Sequence, residues 1–169
     1  MGKHTLALLA ALDTACTNVE ELGQATAELF QTHPDHAIIT SFPGLADSTG
    51  ARVLAEIGDD RTRFADARAL KAYAGSAPVT RASGRSLSVT HRRIKNDRLA
   101  AVGWIWAFAA ATNCEPARDH YRRRRDHGDR HAAATRHLFN KLLGQLYHCL
   151  QDQQTFDDTK AFSPTAAAA

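Results

Sequence analysis

Cysteine is scarce in this chain and badly spaced for cross-linking: Cys16, Cys114 and Cys149 are odd in number and far apart. No CxxC pair and no Cys/His zinc spacing occurs, which argues against a disulfide framework or a zinc site and fits a reducing cytoplasm. Long hydrophobic runs are missing as well. The strongest, residues 100–111, is too short to span a bilayer, so no membrane partner is expected. The start, from Met1 to Leu6, has a brief apolar patch without a cleavage-site pattern and does not read as a signal peptide. The common chemical signatures are also absent: no Walker-type loop, no HExxH, no GxSxG and no dinucleotide fingerprint. The acids, from Asp13 to Asp119, are scattered, and no pair stands out as a two-metal centre. Gly128 breaks the helix that would bring His127 and His131 onto one face. No metal site is expected from this chain alone.

What is present bounds the answer differently. The 169 residues make one domain or a domain with an extension, and 44% hydrophobic content suffices for a core. Net charge is only +3, but it is unevenly placed. Arg81, Arg85, Arg92, Arg93, Lys95 and Arg98 face one acid, Asp97, within 18 residues of chain, and a second cluster is Arg122, Arg123, Arg124 and Arg125. Two such clusters point to a phosphate-bearing partner, the plainer reading of either being a solvated helix face.

The pattern predicts a mainly α fold. Residues 5–31 read as one long helix in which Leu8, Leu12, Ala15, Val19, Leu22, Thr26 and Leu29 form a heptad seam. That seam suggests helix pairing, within or between chains; an ordinary amphipathic helix is the alternative. Pro34 ends the segment. A short apolar helix then leads into Pro43-Gly44, and a second helix is expected from Ser48, as N-cap, to Gly58. This arrangement resembles a helix-hairpin-helix motif, whose turn and following helix N-terminus grip a phosphate; a plain helical hairpin is the alternative. A further helix over 63–75 has Asp66 in its first turn or as its cap. Residues 76–90 read as a loop with a short β-hairpin about Ser83-Gly84. Residues 94–111 are the expected central core helix of a bundle built around Trp104 and Trp106. Helices near 116–127 and 130–152 follow.

Ser83 lies in the stretch from Gly75 to Arg85. A serine hydroxyl is a weak nucleophile unless deprotonation is assisted. Arg81 and Arg85 would stabilise the alkoxide and the charge of a pentavalent phosphorane, and Gly84 would allow a backbone to approach closely. Taken alone, Ser-Gly in a loop is usually just a turn.

At this stretch the sequence resembles a known family. Phe42-Pro43-Gly44, Ala55-Glu56-Ile57-Gly58-Asp59, Arg63-Phe64, Ala72-Tyr73-Ala74-Gly75-Ser76-Ala77-Pro78, Ser83-Gly84-Arg85, Arg92-Arg93-Ile94-Lys95-Asn96 and Tyr121-Arg122-Arg123-Arg124 occur in order. This ordered set is similar to the C-terminal domain of IS110-type insertion-sequence transposases. The resemblance implies a recombinase that pairs an N-terminal RuvC-like, metal-binding domain with a serine-bearing C-terminal domain. It implies that Ser83 is the nucleophile toward a DNA phosphodiester and that a structured guide RNA takes part in some members. Arg81, Arg85, Arg92, Arg93 and Lys95 are then expected on the phosphate backbone by electrostatics, with Pro43 and Gly44 at the hairpin turn.

The expected organisation is a coiled-coil-like linker helix over 1–35, the transposase domain over 36–155 and a tail over 156–169, whose terminal alanines carry no expected function. No RuvC-like half is present in these residues. The cofactor is accordingly expected elsewhere, as a divalent metal (magnesium) held by that domain, and the enzyme is expected to be incomplete alone. Expected partners are DNA, a structured guide RNA, and a second copy or an intact transposase. The alternative is a non-catalytic nucleic-acid-binding or helical interaction module, a truncated remnant.

Overall fold

The computed structural model describes residues 2–162. The chain is mainly α, with helices α1 (Gly2–Gln31), α2 (His36–Thr40), α3 (Asp47–Ile57), α4 (Ala67–Tyr73), α5 (Asp97–Asn113), α6 (Glu115–Asp126), α7 (His131–Asp152) and α8 (Asp158–Phe162). A two-stranded antiparallel sheet, β1 (Val79–Ser83) and β2 (Ser86–Thr90), lies between α4 and α5.

Helix α1 has 30 residues and so runs about 45 Å. Thr14, Thr17 and Thr26 hydroxyls donate to carbonyls one turn back, which keeps them satisfied within the helix. Its seam is uncovered: Leu8, Leu12, Val19, Leu22 and Leu29 are all exposed, and Phe30 at its end is its one buried residue among those described. Attachment to the body is at that end, where Gln31 and His36 both donate to the Asp47 carboxylate, at 2.6 and 2.8 Å. These bonds hold Asp47 below the usual carboxylate range, Gln31 contributing most.

The body is assembled around α7, which packs on α4, α5 and α6, while α5 also packs on α3 and α6. Helix α7 buries Leu138, Phe139, Leu142, Leu143, Leu146 and Leu150, residues spaced by three and four as a one-sided helix requires. Facing them, α5 buries Leu99, Val102, Trp106 and Ala110. Gly103 sits where a Cβ would come within 2.2 Å of the Phe139 ring, so glycine is what lets the two helices close. Asn96 caps α5 by accepting from Leu99 N–H at 2.8 Å, and Asp66 caps α4 by accepting from Ala69 N–H at 2.7 Å.

Four local expectations change. Ile94, read as the start of the core helix, precedes it and is 92% exposed. Trp104 is not a core residue: two positions along a helix turn by about 200°, so Trp104 and Trp106 cannot both face inward. Ser48 does not cap α3; Ala46 occupies that position without a side-chain bond, and the helix begins at Asp47. Residues 156–162, read as tail, pack on the body: Phe156 meets Phe42 at 4.4 Å between ring centroids, and Ala161 is buried. The terminal alanines from Ala166 to Ala169 lie outside the described residues.

Candidate nucleic-acid interface

The hairpin is held at its root rather than along its length. Gly75 leaves α4 at φ +70°, and a Cβ there would meet Lys95 Cδ at 2.2 Å, so the two ends of the excursion close on one another. Asn96 N–H donates to the Tyr73 carbonyl at 2.8 Å. The Asn96 amide donates to Glu56 Oε2 at 2.7 Å and to the Tyr73 hydroxyl at 2.6 Å, while Arg63 donates to the same hydroxyl at 3.0 Å and to the Ile57 carbonyl at 2.6 Å. Segments separate in the chain, Glu56-Ile57, Arg63, Tyr73 and Asn96, thus form one polar network beneath the hairpin. On the other side Ser76 is buried; its hydroxyl donates to Asn140 Oδ1 at 3.0 Å, and Arg136 donates to its carbonyl at 3.1 Å.

Above the root the register runs from Val79 opposite Thr90 to Ser83 opposite Ser86. Gly84 and Arg85 form the two-residue turn, with Gly84 at φ +53°, the sign a type II′ turn needs at its first central position. Strand alternation puts Val79, Arg81, Ser83, Ser86, Ser88 and Thr90 on one face. That face ends in an open groove of about 550 Å³ whose lining includes Arg81, Thr90, His91, Arg92 and Arg93. Ser83 is exposed at the far end of the same face, with Arg81 two residues back and Arg85 two residues on. Among the described residues nothing hydrogen-bonds the Ser83 hydroxyl, and none of Arg81, Arg85, Arg92 or Arg93 meets a carboxylate. Lys95 does, donating to Asp97 Oδ1 at 2.5 Å.

The other expected contacts are placed differently. The Pro43 carbonyl accepts from Trp106 Nε1–H at 3.0 Å. Gly44, at φ +83°, lies so close to α5 that a Cβ would stand 2.7 Å from the Ala110 nitrogen. This turn packs against the α5 backbone and is not brought together with the hairpin cations. In the second cluster, Arg124 Nε donates to Asp129 Oδ2 at 2.6 Å and Arg125 to the Asp129 carbonyl at 2.9 Å, so these two hold the α6–α7 corner; Arg122 and Arg123 are exposed. His91 and Arg136 join the hairpin root without having been singled out from sequence. His91 could have been found as a neighbour of Arg92, but nothing local connects Arg136 to Ser76. Among the described residues no three His, Cys, Asp or Glu side chains are grouped to hold a metal ion, and no helix is long and apolar enough to cross a membrane.

Residues 36–122 match the model of the transposase IS116/IS110/IS902 family. The candidate mini-circle transposase of IS117 from Streptomyces coelicolor is 58% identical over 168 residues, covering 99% of this chain and 41% of that relative. The 42 kDa protein of insertion element IS900 from Mycobacterium paratuberculosis is 35% identical over 162 residues, 94% of this chain and 38% of the relative. The 44.8 kDa protein of insertion element IS116 from Streptomyces clavuligerus is 32% identical over 159 residues, 94% and 39% respectively. The chain therefore spans about two fifths of the length of these relatives, and it belongs to the IS116/IS110/IS902 family of insertion-sequence transposases.

Proposed function

We propose that this chain is the DNA-binding, serine-bearing part of a recombinase that moves an insertion sequence. The observation that carries the reading is Ser83 presented at the tip of a hairpin, flanked by Arg81 and Arg85, with unpaired Arg92 and Arg93 at the root of the same face. A DNA backbone along that face would meet cations before and after the serine. In the reaction, Ser83 Oγ forms a bond to phosphorus, and one deoxyribose oxygen leaves and takes up a proton. Arg81 and Arg85 would hold the non-bridging oxygens as charge builds on them. Lys95 is shared with Asp97 and contributes less. Pro43 and Gly44 are left out of the interface because α5 occupies the space beside them.

Among the described residues no three His, Cys, Asp or Glu side chains are grouped to hold a metal ion. The divalent metal of the family resemblance, like the acceptor of the serine proton, would come from a RuvC-like domain outside these residues, and a guide RNA and an intact transposase would be partners of that assembly. The test is a denaturing-gel search for a covalent protein–DNA adduct when this chain is supplied together with an intact family transposase. An adduct mapped to the Ser83 peptide and lost in Ser83→Ala, with DNA anisotropy unchanged, is the expected outcome; an adduct that persists in the variant sinks the nucleophile assignment. The bare Ser83 hydroxyl favours one second reading, a binding module without chemistry, which predicts salt-dependent binding and no adduct under any supply of partner.

A further inference from the structure

The geometry points to a nucleotide pocket beside the hairpin root, which takes one unpaired base of a DNA strand against Trp104 and its phosphate on Arg92. This rests on the nucleic-acid reading above. The pocket encloses about 190 Å³ between the root, α5 and α7, on the scale of one base. Its lining divides by chemistry. Trp104, Phe139, Ala100 and Ala132 supply apolar walls; Arg92, Lys95 and Arg136 supply positive charge, His91 adds ring nitrogens, and among the described residues no acid lines it.

Two independent features mark it as built for a ligand. The Arg92 Nε is buried without a hydrogen-bond partner, and no carboxylate meets its guanidinium. Four other polar side chains of the lining are already engaged: Ser76 with Asn140, Thr135 with the His131 carbonyl, Arg136 with the Ser76 carbonyl, and Lys95 with Asp97; the exposed His91 ring hydrogen-bonds nothing among the described residues. A guanidinium with no carboxylate beside it keeps its charge for an anion, so the unpaired cation of this lining suits a phosphate oxygen. The second feature is Trp104. Trp106 is sealed in the core, whereas Trp104 is 39% exposed at the pocket and set in place by a perpendicular ring contact with His131 at 5.5 Å. His131 is itself fixed by the Tyr121 hydroxyl at 2.8 Å. A pre-positioned indole beside cations is the combination that binds single-stranded nucleic acid through base stacking. His91 and Arg92 line both this pocket and the groove below Ser83, so a strand in the groove passes the pocket mouth. A base still paired and stacked in a duplex cannot enter, which selects an unpaired nucleotide.

The test compares four nucleic acids by anisotropy and tryptophan fluorescence: a single-stranded oligodeoxynucleotide, an abasic strand of equal length, a duplex, and the matching oligoribonucleotide. The base-bearing DNA strand should quench Trp104 and bind about tenfold more tightly than the abasic strand. Trp104→Leu should remove that tenfold and the quenching while leaving duplex affinity unchanged. Should Trp104→Leu fail to fold, Ala132→Phe, at an exposed position on the pocket mouth, should remove the same preference by blocking it. Equal affinity for base-bearing and abasic strands without quenching overturns the pocket but leaves salt-dependent duplex binding standing. No binding of any nucleic acid at low salt overturns both readings. A preference for the ribonucleotide strand that Trp104→Leu abolishes overturns the assignment to DNA.

Discussion

The hairpin and the helical body differ most in what they bury. The body holds the buried apolar residues and buries few polar ones, Asp35, Ser76 and Thr135 among those described. The hairpin is exposed from Thr80 to Ser86 and carries the arginines and Ser83. Its order comes from a turn glycine, five paired positions and a polar network at its base. Substitutions in the buried core of the body should therefore cost stability, and those in the exposed hairpin should cost little of it.

The largest effect that would sharpen this contrast is Trp106→Ala. Trp106 is fully buried, meets Phe42 at 5.7 Å and Phe139 at 6.0 Å between ring centroids, and donates to Pro43. Its truncation should destabilise the protein by about 3–5 kcal/mol in denaturant unfolding. Ser83→Ala, measured in the same way, should stay within about 0.5 kcal/mol of the wild type. A Ser83→Ala loss approaching that of Trp106→Ala would break the division, since it would mean that the hairpin tip is part of the cooperative core.

Next in size is the junction. Asn96 caps α5 and donates to Glu56 and Tyr73, so Asn96→Ala should cost about 1–3 kcal/mol. It should also weaken DNA binding, because the hairpin loses its anchor. Asn96→Asp separates the two roles: it retains an acceptor for Leu99 N–H but sets a second carboxylate against Glu56. Equal unfolding curves for Asn96→Asp and the wild type would show that the cap alone matters and that the network does not anchor the hairpin.

Much of this division was legible in the sequence, and the misses have physical causes. Ser83-Gly84 between β-branched residues announces a two-residue turn, because few residues besides glycine accept its positive φ. The cap at Asp66 and the stop at Gly75 are likewise local. Ser48 looked like the cap of α3, but the helix begins one residue earlier, where Asp47 is engaged by Gln31 and His36 from other elements. The Pro43-Gly44 turn reads locally as a phosphate grip; only the fold shows α5 lying against it. The α1 seam was visible, yet a seam states that apolar residues share a face and does not state where a partner lies. Arg136 reaches the Ser76 carbonyl across 60 residues of chain, and no local pattern encodes that contact.

The smallest effect concerns charge, which the two regions also handle differently. The hairpin spreads its cations into solvent, whereas the body crowds them. His120 on α6 faces Lys141 and His137 from α7, Arg123 and Arg124 from its own helix, and the Phe162 ring from α8. Burial first, then these cations, push its pKa down to about 4. His137 shifts the same way, through burial and then through Arg124 and Arg136. A histidine whose folded pKa lies below its unfolded value costs nothing while both states are neutral. Between about pH 6.5 and 4 the unfolded chain binds a proton that the folded chain refuses, so stability should fall as pH falls through that window. Below about pH 4 both states are protonated at His120 and its contribution is constant. Thermal unfolding from pH 7 to 4 should therefore show a declining Tm, and His120→Gln should flatten part of the decline. Parallel curves for the two proteins would mean that the cations around His120 do not penalise its charged form, and the crowded body would then be no more sensitive to acid than the open hairpin.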